Sequence, residues 1–119
     1  MNFDLAINKH AEWRMKFRTA MKMKEKMDAA NIGKDNCCEL GKWLYGPGKS
    51  EFGRLPSFIT CVDTHKGFHT EAGKVAALIN DGKYTEADKL LGAGSAYSQI
   101  SSQIGGILIK LKHELTKAA

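Results

Sequence analysis

The chain has 119 residues, of which 43% are apolar and 26% charged, and its formal net charge is +5. These values are typical of one globular domain, which we expect to span residues 1–119. No apolar run approaches the roughly 20 residues that cross a bilayer, and the first residues lack the charged start and apolar core of a signal peptide. We therefore expect a cytoplasmic protein whose domain does not insert into a membrane.

Helical periodicity runs through the whole chain, and no strand pattern interrupts it. Ala, Lys, Leu and Met are frequent and only two prolines occur, which favours helix. Five helical segments are predicted between turn and break signals: about 3–30, 37–45, 56–80, 84–91 and 95–116. We expect the four other segments to be the main helices of an all-α antiparallel four-helix bundle, with 37–45 as an additional short helix.

Basic residues are concentrated on the first predicted helix. We interpret this charge as a solvated helix face; the alternative is a surface for nucleic acid or an acidic partner. Because no aromatic residues alternate with the charges in a stacking pattern, we expect no nucleic-acid partner. The residues are Lys9, Arg14, Lys16, Arg18, Lys22, Lys24 and Lys26.

Glycines and capping residues set local expectations. Gly33 is predicted to stop the first helix, and Asp35 or Asn36 to cap the second. Gly105 and Gly106 lie inside the last helix, where each glycine costs roughly 1 kcal/mol relative to alanine. We expect them to permit a close helix approach, either within the bundle or across a dimer.

Two histidines occupy the apolar stripe of the third segment. His65 and His69 are four residues apart, so both imidazoles face the same side of a helix. His10 takes a core-facing position on the first helix, seven residues from both Phe3 and Phe17. Buried imidazoles need polar partners, and a shared metal ion would supply one.

A sulfur ligand would complete such a site. Three imidazoles and one thiolate form a tetrahedral zinc shell, and three free thiols suit a metal ligand better than a disulfide framework. Cys61 shares a stripe with His65 and His69, but three ligands on one straight helix would spread over roughly 12 Å of rise. Cys37 and Cys38 compete more seriously, and spacing does not separate them.

Three motifs resemble the chemoreceptor zinc-binding domain family in their order and spacing. They are H-x-x-W at His10–Trp13, C-x-L-G-x-W at Cys38–Trp43 and H-x-x-x-H at His65–His69, and the resemblance covers nearly the whole chain. It implies an all-helical, often dimeric bundle with Zn²⁺ as cofactor. The family cysteine directly precedes x-Leu-Gly-x-Trp, so the implied ligands are His10, Cys38, His65 and His69.

Cys37 stands outside the family motif. It is a departure that we interpret as a spare thiol able to react with an oxidised Cys38. The zinc-bound Cys38 thiolate is the expected redox-reactive group.

The resemblance also implies a function and partners. Such domains occur at the ends of bacterial chemotaxis receptors and diguanylate cyclases, and sometimes alone. They are implicated in sensing zinc and oxidants such as hypochlorous acid. We therefore expect a sensory homodimer whose partner is a receptor or cyclase signalling domain, in cis or in trans. The alternative is a structural zinc-stabilised dimerisation or interaction module with no sensing role.

The ligand set also bears on catalysis and on movement. Four protein ligands leave no position for water, and the segment from His65 to His69 lacks the glutamate of zinc proteases, so we expect no enzyme.

Asp63 and Glu71 are candidate outer partners of the ligands. The short second helix is expected to make few apolar contacts and therefore to shift when Cys38 is oxidised.

Overall fold

A computed structural model of the protein describes residues 1–118, and the side chains of residues 1–116. The all-α prediction is confirmed: these residues form eight helices and no strand. The bounds are α1 (Phe3–Ala11), α2 (Trp13–Met23), α3 (Ala29–Ile32), α4 (Glu39–Tyr45), α5 (Pro47–Phe52), α6 (Pro56–Asn80), α7 (Tyr84–Leu90) and α8 (Ala96–Ala118). No helix of this described part is long and apolar enough to cross a membrane.

The first predicted helix is shorter than expected. Glu12 keeps right-handed helical backbone angles, so α1 and α2 follow each other closely. The helix then ends at Met23, because Lys24 takes a left-handed conformation with φ of 54°. The Lys24 and Glu25 N–H groups donate to the carbonyls of Met21 and Ala20, at 3.3 and 2.9 Å. This is the Schellman pattern. The prediction of one continuous helix up to residue 30 is wrong, because the chain leaves the helix after Met23 and residues 29–30 belong to the separate helix α3.

A tertiary contact accompanies this early stop. Met27 donates its backbone N–H to Asn80 Oδ1 at 2.7 Å, and Asn80 Nδ2 donates to the Met27 carbonyl at 2.8 Å. The end of α6 therefore holds residue 27 in a non-helical segment. This pairing spans more than 50 positions of sequence, and local helix propensity does not include it.

The long helices pack in alternating directions. Lys112 near the end of α8 donates to Asp4 at the start of α1 at 2.8 Å, and Arg14 of α2 donates to Ser98 near the start of α8 at 2.7 Å. Ser57 at the start of α6 donates to Glu114 near the end of α8. Helix α8 is thus antiparallel both to α1–α2 and to α6.

The short helix α3 packs closely on α6. A Cβ added at Gly73 of α6 would lie only 2.8 Å from Gly33 Cα, so side chains are excluded from this contact. Gly33 does follow a helix end, that of α3, but its φ is −75°. Its importance is therefore the close packing, not a left-handed helix stop.

Helix α4 is firmly packed, contrary to the prediction of few apolar contacts. Leu40 and Leu44 are buried. The Trp43 ring makes edge-to-face contacts with Phe3 and Phe58, at centroid distances of 5.5 and 5.7 Å. Aromatic pairs of this geometry stabilise a fold beyond their buried area, so α4 as a whole is anchored to α1 and α6.

The paired glycines of α8 do not mediate packing inside the bundle. A Cβ added at Gly105 or Gly106 would meet no atom of the described residues within 4 Å, apart from the helix's own neighbouring backbone. The alternative of a close approach within the bundle is therefore wrong. The alternative of an approach across a dimer remains a prediction.

Candidate metal centre

Four side chains from three helical elements converge on one point. His10 comes from α1, His65 and His69 come from α6, and Cys38 stands at the start of α4. Their ligand atoms all lie within 4.8 Å of one another. The structure thus brings together all four residues that the sequence predicted as ligands.

Five of the six distances between ligand atoms lie within about 0.4 Å of the edges of a zinc tetrahedron. Zn–N bonds of about 2.0–2.1 Å and a Zn–S bond of about 2.3 Å give N···N edges of about 3.3–3.4 Å and N···S edges of about 3.6 Å. His65 Nε2 lies 3.1 Å from His10 Nε2 and 3.0 Å from His69 Nε2. Cys38 Sγ lies 3.9, 3.2 and 3.6 Å from the Nε2 atoms of His10, His65 and His69.

Backbone carbonyls orient two of the imidazoles. His10 Nδ1 lies 2.7 Å from the Ala6 carbonyl, and His69 Nδ1 lies 2.8 Å from the Ile32 carbonyl. A carbonyl only accepts, so each Nδ1 carries the proton and each Nε2 presents its lone pair to the site. Two such lone pairs facing the same point repel each other unless a cation lies between them. The tautomers therefore fit a metal ion.

The predicted outer carboxylates do not take part. Glu71 pairs with Lys74 at 3.2 Å, and neither Asp63 nor Glu71 hydrogen-bonds a ligand side chain among the described residues. The carbonyls of Ala6 and Ile32 orient the ligands instead. The sequence did not predict these contacts, because the first depends on a helical turn of α1 and the second on the packing of α3 against α6. In the sequence, the residues that bear on the Ile32 carbonyl are Gly33 and Gly73, because their close contact holds α3 against α6.

Burial keeps the imidazoles neutral. It lowers the pKa of His10 to about 4, with the Ala6 carbonyl opposing it in part. Burial, with repulsion from the two other histidines, lowers the pKa of His65 to about 2. Burial also lowers the pKa of His69. Neutral imidazole is the form that binds a metal.

His65 carries the one polar atom of the site without a partner. Its Nδ1 is buried and has no hydrogen-bond partner among the described residues. An unsatisfied buried polar group costs about 1–3 kcal/mol. A cation bound through Nε2 would offset this cost and would explain why the His65 imidazole is buried.

Cys38 is both a candidate ligand and the N-cap of α4. The predicted caps Asp35 and Asn36 are wrong: Cys38 is the capping residue, and Gly41 donates its N–H to Cys38 Sγ at 3.3 Å. Burial raises the pKa of this thiol, while the N–H groups of Gly41 and Leu40 lower it. Metal binding must therefore displace the thiol proton.

Glycine at position 41 is required by this turn. A Cβ there would lie 1.8 Å from the Asp35 carbonyl oxygen, far inside van der Waals contact. The glycine of the C-x-L-G segment thus lets residues 35–36 fold over the start of α4. This packing fixes the position of Cys38.

A cavity of about 590 Å³ opens beside the sulfur. Its wall is mostly apolar and is formed by the N-terminal residues, α1, the start of α2, and α4. It includes Trp13, Trp43 and Leu40, and also His10 and Cys38. The cavity therefore borders the metal site at His10 and Cys38.

The other two cysteines lie outside the cluster. Cys61 is fully buried, and burial raises the pKa of its thiol to about 12. Cys37 is exposed, and its Sγ lies 3.6 Å from Asn36 Oδ1 and 4.0 Å from Asn31 Oδ1. Among the three thiols, only that of Cys38 joins the histidines.

An all-helical bundle in which the ligand atoms of three neutral imidazoles and one thiol lie within 4.8 Å of one another defines a zinc-binding domain. A family model described as the chemoreceptor zinc-binding domain matches residues 10–76. This is more than half of the chain, which belongs to that family and has zinc as its cofactor. The match ends before α7 and α8. The family model therefore covers less of the chain than the nearly complete coverage that the motifs predicted. No curated protein and no solved structure matches the chain.

Proposed function

We propose that this chain is a cytoplasmic sensory domain of a chemotaxis receptor or a diguanylate cyclase. It holds zinc through His10, Cys38, His65 and His69, and it responds to hypochlorous acid and similar oxidants through the Cys38 thiolate, or to zinc itself. It is a regulator and not an enzyme, because four protein ligands leave no coordination position for a substrate.

The asymmetry of the four ligands carries this proposal. The three histidines are buried, with exposed fractions of 4%, 0% and 3% for His10, His65 and His69. Cys38 is only partly buried and forms part of the cavity wall. Thiolates are also the most easily oxidised of these ligands. Cys38 is therefore the easily oxidised ligand and also the one ligand of the four that is not fully buried.

The oxidation step follows from thiolate chemistry. Bound zinc keeps the sulfur deprotonated at neutral pH. Cys38 Sγ attacks the chlorine of hypochlorous acid, so that an S–Cl bond forms, the O–Cl bond breaks and hydroxide leaves. Water then displaces chloride and loses a proton, which yields the sulfenic acid of Cys38. Sulfur loses two electrons and chlorine leaves as chloride, and the product is a poor metal ligand.

Oxidation acts on the start of α4. Cys38 Sγ accepts the Gly41 N–H, so the same atom serves the cap and the metal. Loss of a cap costs typically about 1 kcal/mol. Because Trp43 and Leu44 anchor the rest of α4, the change is confined to the first turn of α4 and to the segment before it.

Hydrogen exchange of the zinc-loaded domain tests the sensing role. One equivalent of hypochlorous acid should speed amide exchange in residues 36–42 and leave the middle of α6 protected. In Cys38→Ser, the oxidant should leave the amide exchange of residues 36–42 unchanged. Unchanged exchange together with an oxidised Cys38 would refute the mechanism. Zinc withdrawal by a chelator, compared in parallel, separates a zinc response from an oxidant response.

A structural zinc module is the second candidate. The observation in its favour is that the cluster joins α1, α4 and α6, while the Ile32 carbonyl adds the end of α3. A structural role predicts that His69→Ala unfolds the domain, as measured by circular dichroism. A regulatory role predicts that the variant stays helical and binds zinc more weakly.

The proposed partners are a second copy of the chain and a receptor or cyclase signalling domain, in cis or in trans. Support for the homodimer comes from α8, where Gly106 has open space beside it and Ile109 is 48% exposed. The prediction of no nucleic-acid partner stays a prediction.

A further inference from the structure

The thiol of Cys37 is exposed and lies directly before the proposed redox residue. Helix α3 ends at Ile32 and α4 begins at Glu39, so both cysteines lie in or at the end of a non-helical segment. The Cys37 side chain faces the amides of Asn31 and Asn36, not the metal cluster. Nothing in the metal site uses this thiol.

We propose that Cys37 is the resolving thiol of the sensor, which converts oxidised Cys38 into a disulfide between the two adjacent residues. The inference rests on the proposed oxidation of Cys38 and adds a reversal step to it. The zinc-free state is then held by a bond that cellular thiols can reduce.

The step balances without a further oxidant. The sulfur of Cys37 attacks the sulfur of the Cys38 sulfenic acid, the S–S bond forms and the S–O bond breaks. The thiol proton of Cys37 leaves with the hydroxyl as water. The two electrons were already removed by hypochlorous acid, so the disulfide is the resting product of one oxidation event.

Placement on adjacent residues keeps the two thiols together and makes their disulfide easy to reduce. The thiols cannot diffuse apart, and rotation of the Cys37 side chain away from Asn31 and Asn36 is needed to bring its sulfur to Cys38. Across a trans peptide the Cα atoms are about 3.8 Å apart, while ordinary disulfides span about 4.4–6.8 Å. The bond is therefore strained, and strained disulfides have more oxidising potentials and are reduced more readily.

Cys61 does not compete for this role. It is fully buried in α6, and burial raises the pKa of its thiol to about 12. A buried protonated thiol is a weak nucleophile. Cys37 is thus the one thiol of this chain that is both exposed and adjacent to Cys38.

The inference makes a chemical distinction between two fates of Cys38. Without a resolving thiol, further oxidant converts the sulfenic acid to sulfinic acid, which ordinary reductants do not reverse. With Cys37, the sulfenic acid is consumed first. The response to an oxidant pulse is then reversible, and the metal site can be restored.

Peptide mass spectrometry of the zinc-loaded domain tests this directly. Cleavage after Lys34 and Lys42 places both cysteines in one peptide, residues 35–42. After a few equivalents of hypochlorous acid, this peptide should lose two hydrogen atoms and resist thiol alkylation. A phosphine reductant should restore both thiols and full zinc binding. Cys37→Ser should instead gain one to three oxygen atoms and lose most zinc rebinding after reduction.

Matched controls separate the possible outcomes. Ser102→Ala changes an exposed residue of α8, outside the metal site, and should behave as the wild type. Equal oxygenation of the wild type and Cys37→Ser, or a disulfide that joins two chains on a non-reducing gel, would overturn the role of Cys37. If neither protein releases zinc and Cys38 stays unmodified, the proposed oxidant response itself fails.

Discussion

At the residue scale, each ligand is held by a different device. The Ala6 carbonyl orients His10, the Ile32 carbonyl orients His69, and Cys38 caps α4 through Gly41. These contacts are made by the fold itself and restrain the side chains that carry the donor atoms. Preorganised ligands lose less conformational freedom on binding.

The buried histidines predict a pH dependence of the metal-free fold. Unfolded chains bind protons at the ordinary histidine pKa of 6.5, whereas His10 and His65 resist protonation down to about 4 and about 2. The unfolded state therefore binds more protons as the pH falls below 6.5, and the stability present above that pH is lost. The expected loss is about 1.4 kcal/mol per histidine for each pH unit in this window.

Urea unfolding of the metal-free protein at about pH 7.5 and about pH 5.5 measures this effect through the linear dependence of unfolding free energy on denaturant. His113→Ala, which removes an exposed histidine of α8, should keep the same pH slope. A free energy of unfolding that does not fall between the two pH values would show that the three imidazoles are not buried as neutral groups.

At the element scale, the first turn of α4 links the metal to the fold. Gly41→Ala places a Cβ against the Asp35 carbonyl and should displace Cys38. We expect a loss of about 1–3 kcal/mol in unfolding free energy, typical of overpacking, and weaker zinc binding. Lys42→Ala, at an exposed position of the same helix, is the matched control. Wild-type stability and zinc affinity in Gly41→Ala would contradict this role.

The same element shows why sequence reasoning reached only part of the site. His10, His65 and His69 follow helical spacing on apolar stripes, which is local information. Choosing Cys38 over Cys37 needed the family motif, because both residues open the same helix. The N-cap role of Cys38 depends on how residues 35–36 fold over Gly41, and no periodicity encodes that fold.

Long-range contacts explain the remaining differences in the fold. The stop at Lys24 has no glycine and lies in a run of good helix formers, so local propensity favours continuation. The anchoring of α4 rests on Trp43 contacts with Phe3 and Phe58, which are distant in sequence. The overall bundle was predictable from the apolar stripes, whereas these contacts needed the tertiary structure.

At the scale of the whole molecule, α8 is the helix through which we propose that a second copy packs. Ile109 is 48% exposed, and Gly106 stands one helical turn before it. Ile109→Glu should convert a wild-type dimer to a monomer in sedimentation equilibrium, because burial of a charge without a partner is costly. Met23→Glu, at a 60% exposed position of α2, should remain dimeric. A dimer that persists in Ile109→Glu would place the interface elsewhere.

The central claim is that one zinc ion is held by three imidazoles and the sulfur of Cys38, and not by that of Cys37. Zinc X-ray absorption of the loaded protein tests it most directly, with zinc content measured in parallel. We expect one zinc per chain, with three nitrogen ligands at about 2.0–2.1 Å and one sulfur at about 2.3 Å.

The two cysteine variants decide the assignment. Cys37→Ser should retain this shell. Cys38→Ser should lose the sulfur ligand, and its zinc affinity should fall by more than the roughly 10–100-fold that is typical when a residue outside the ligand shell is changed. Equal loss of sulfur and affinity in both variants, or a sulfur that persists in Cys38→Ser, would contradict the account.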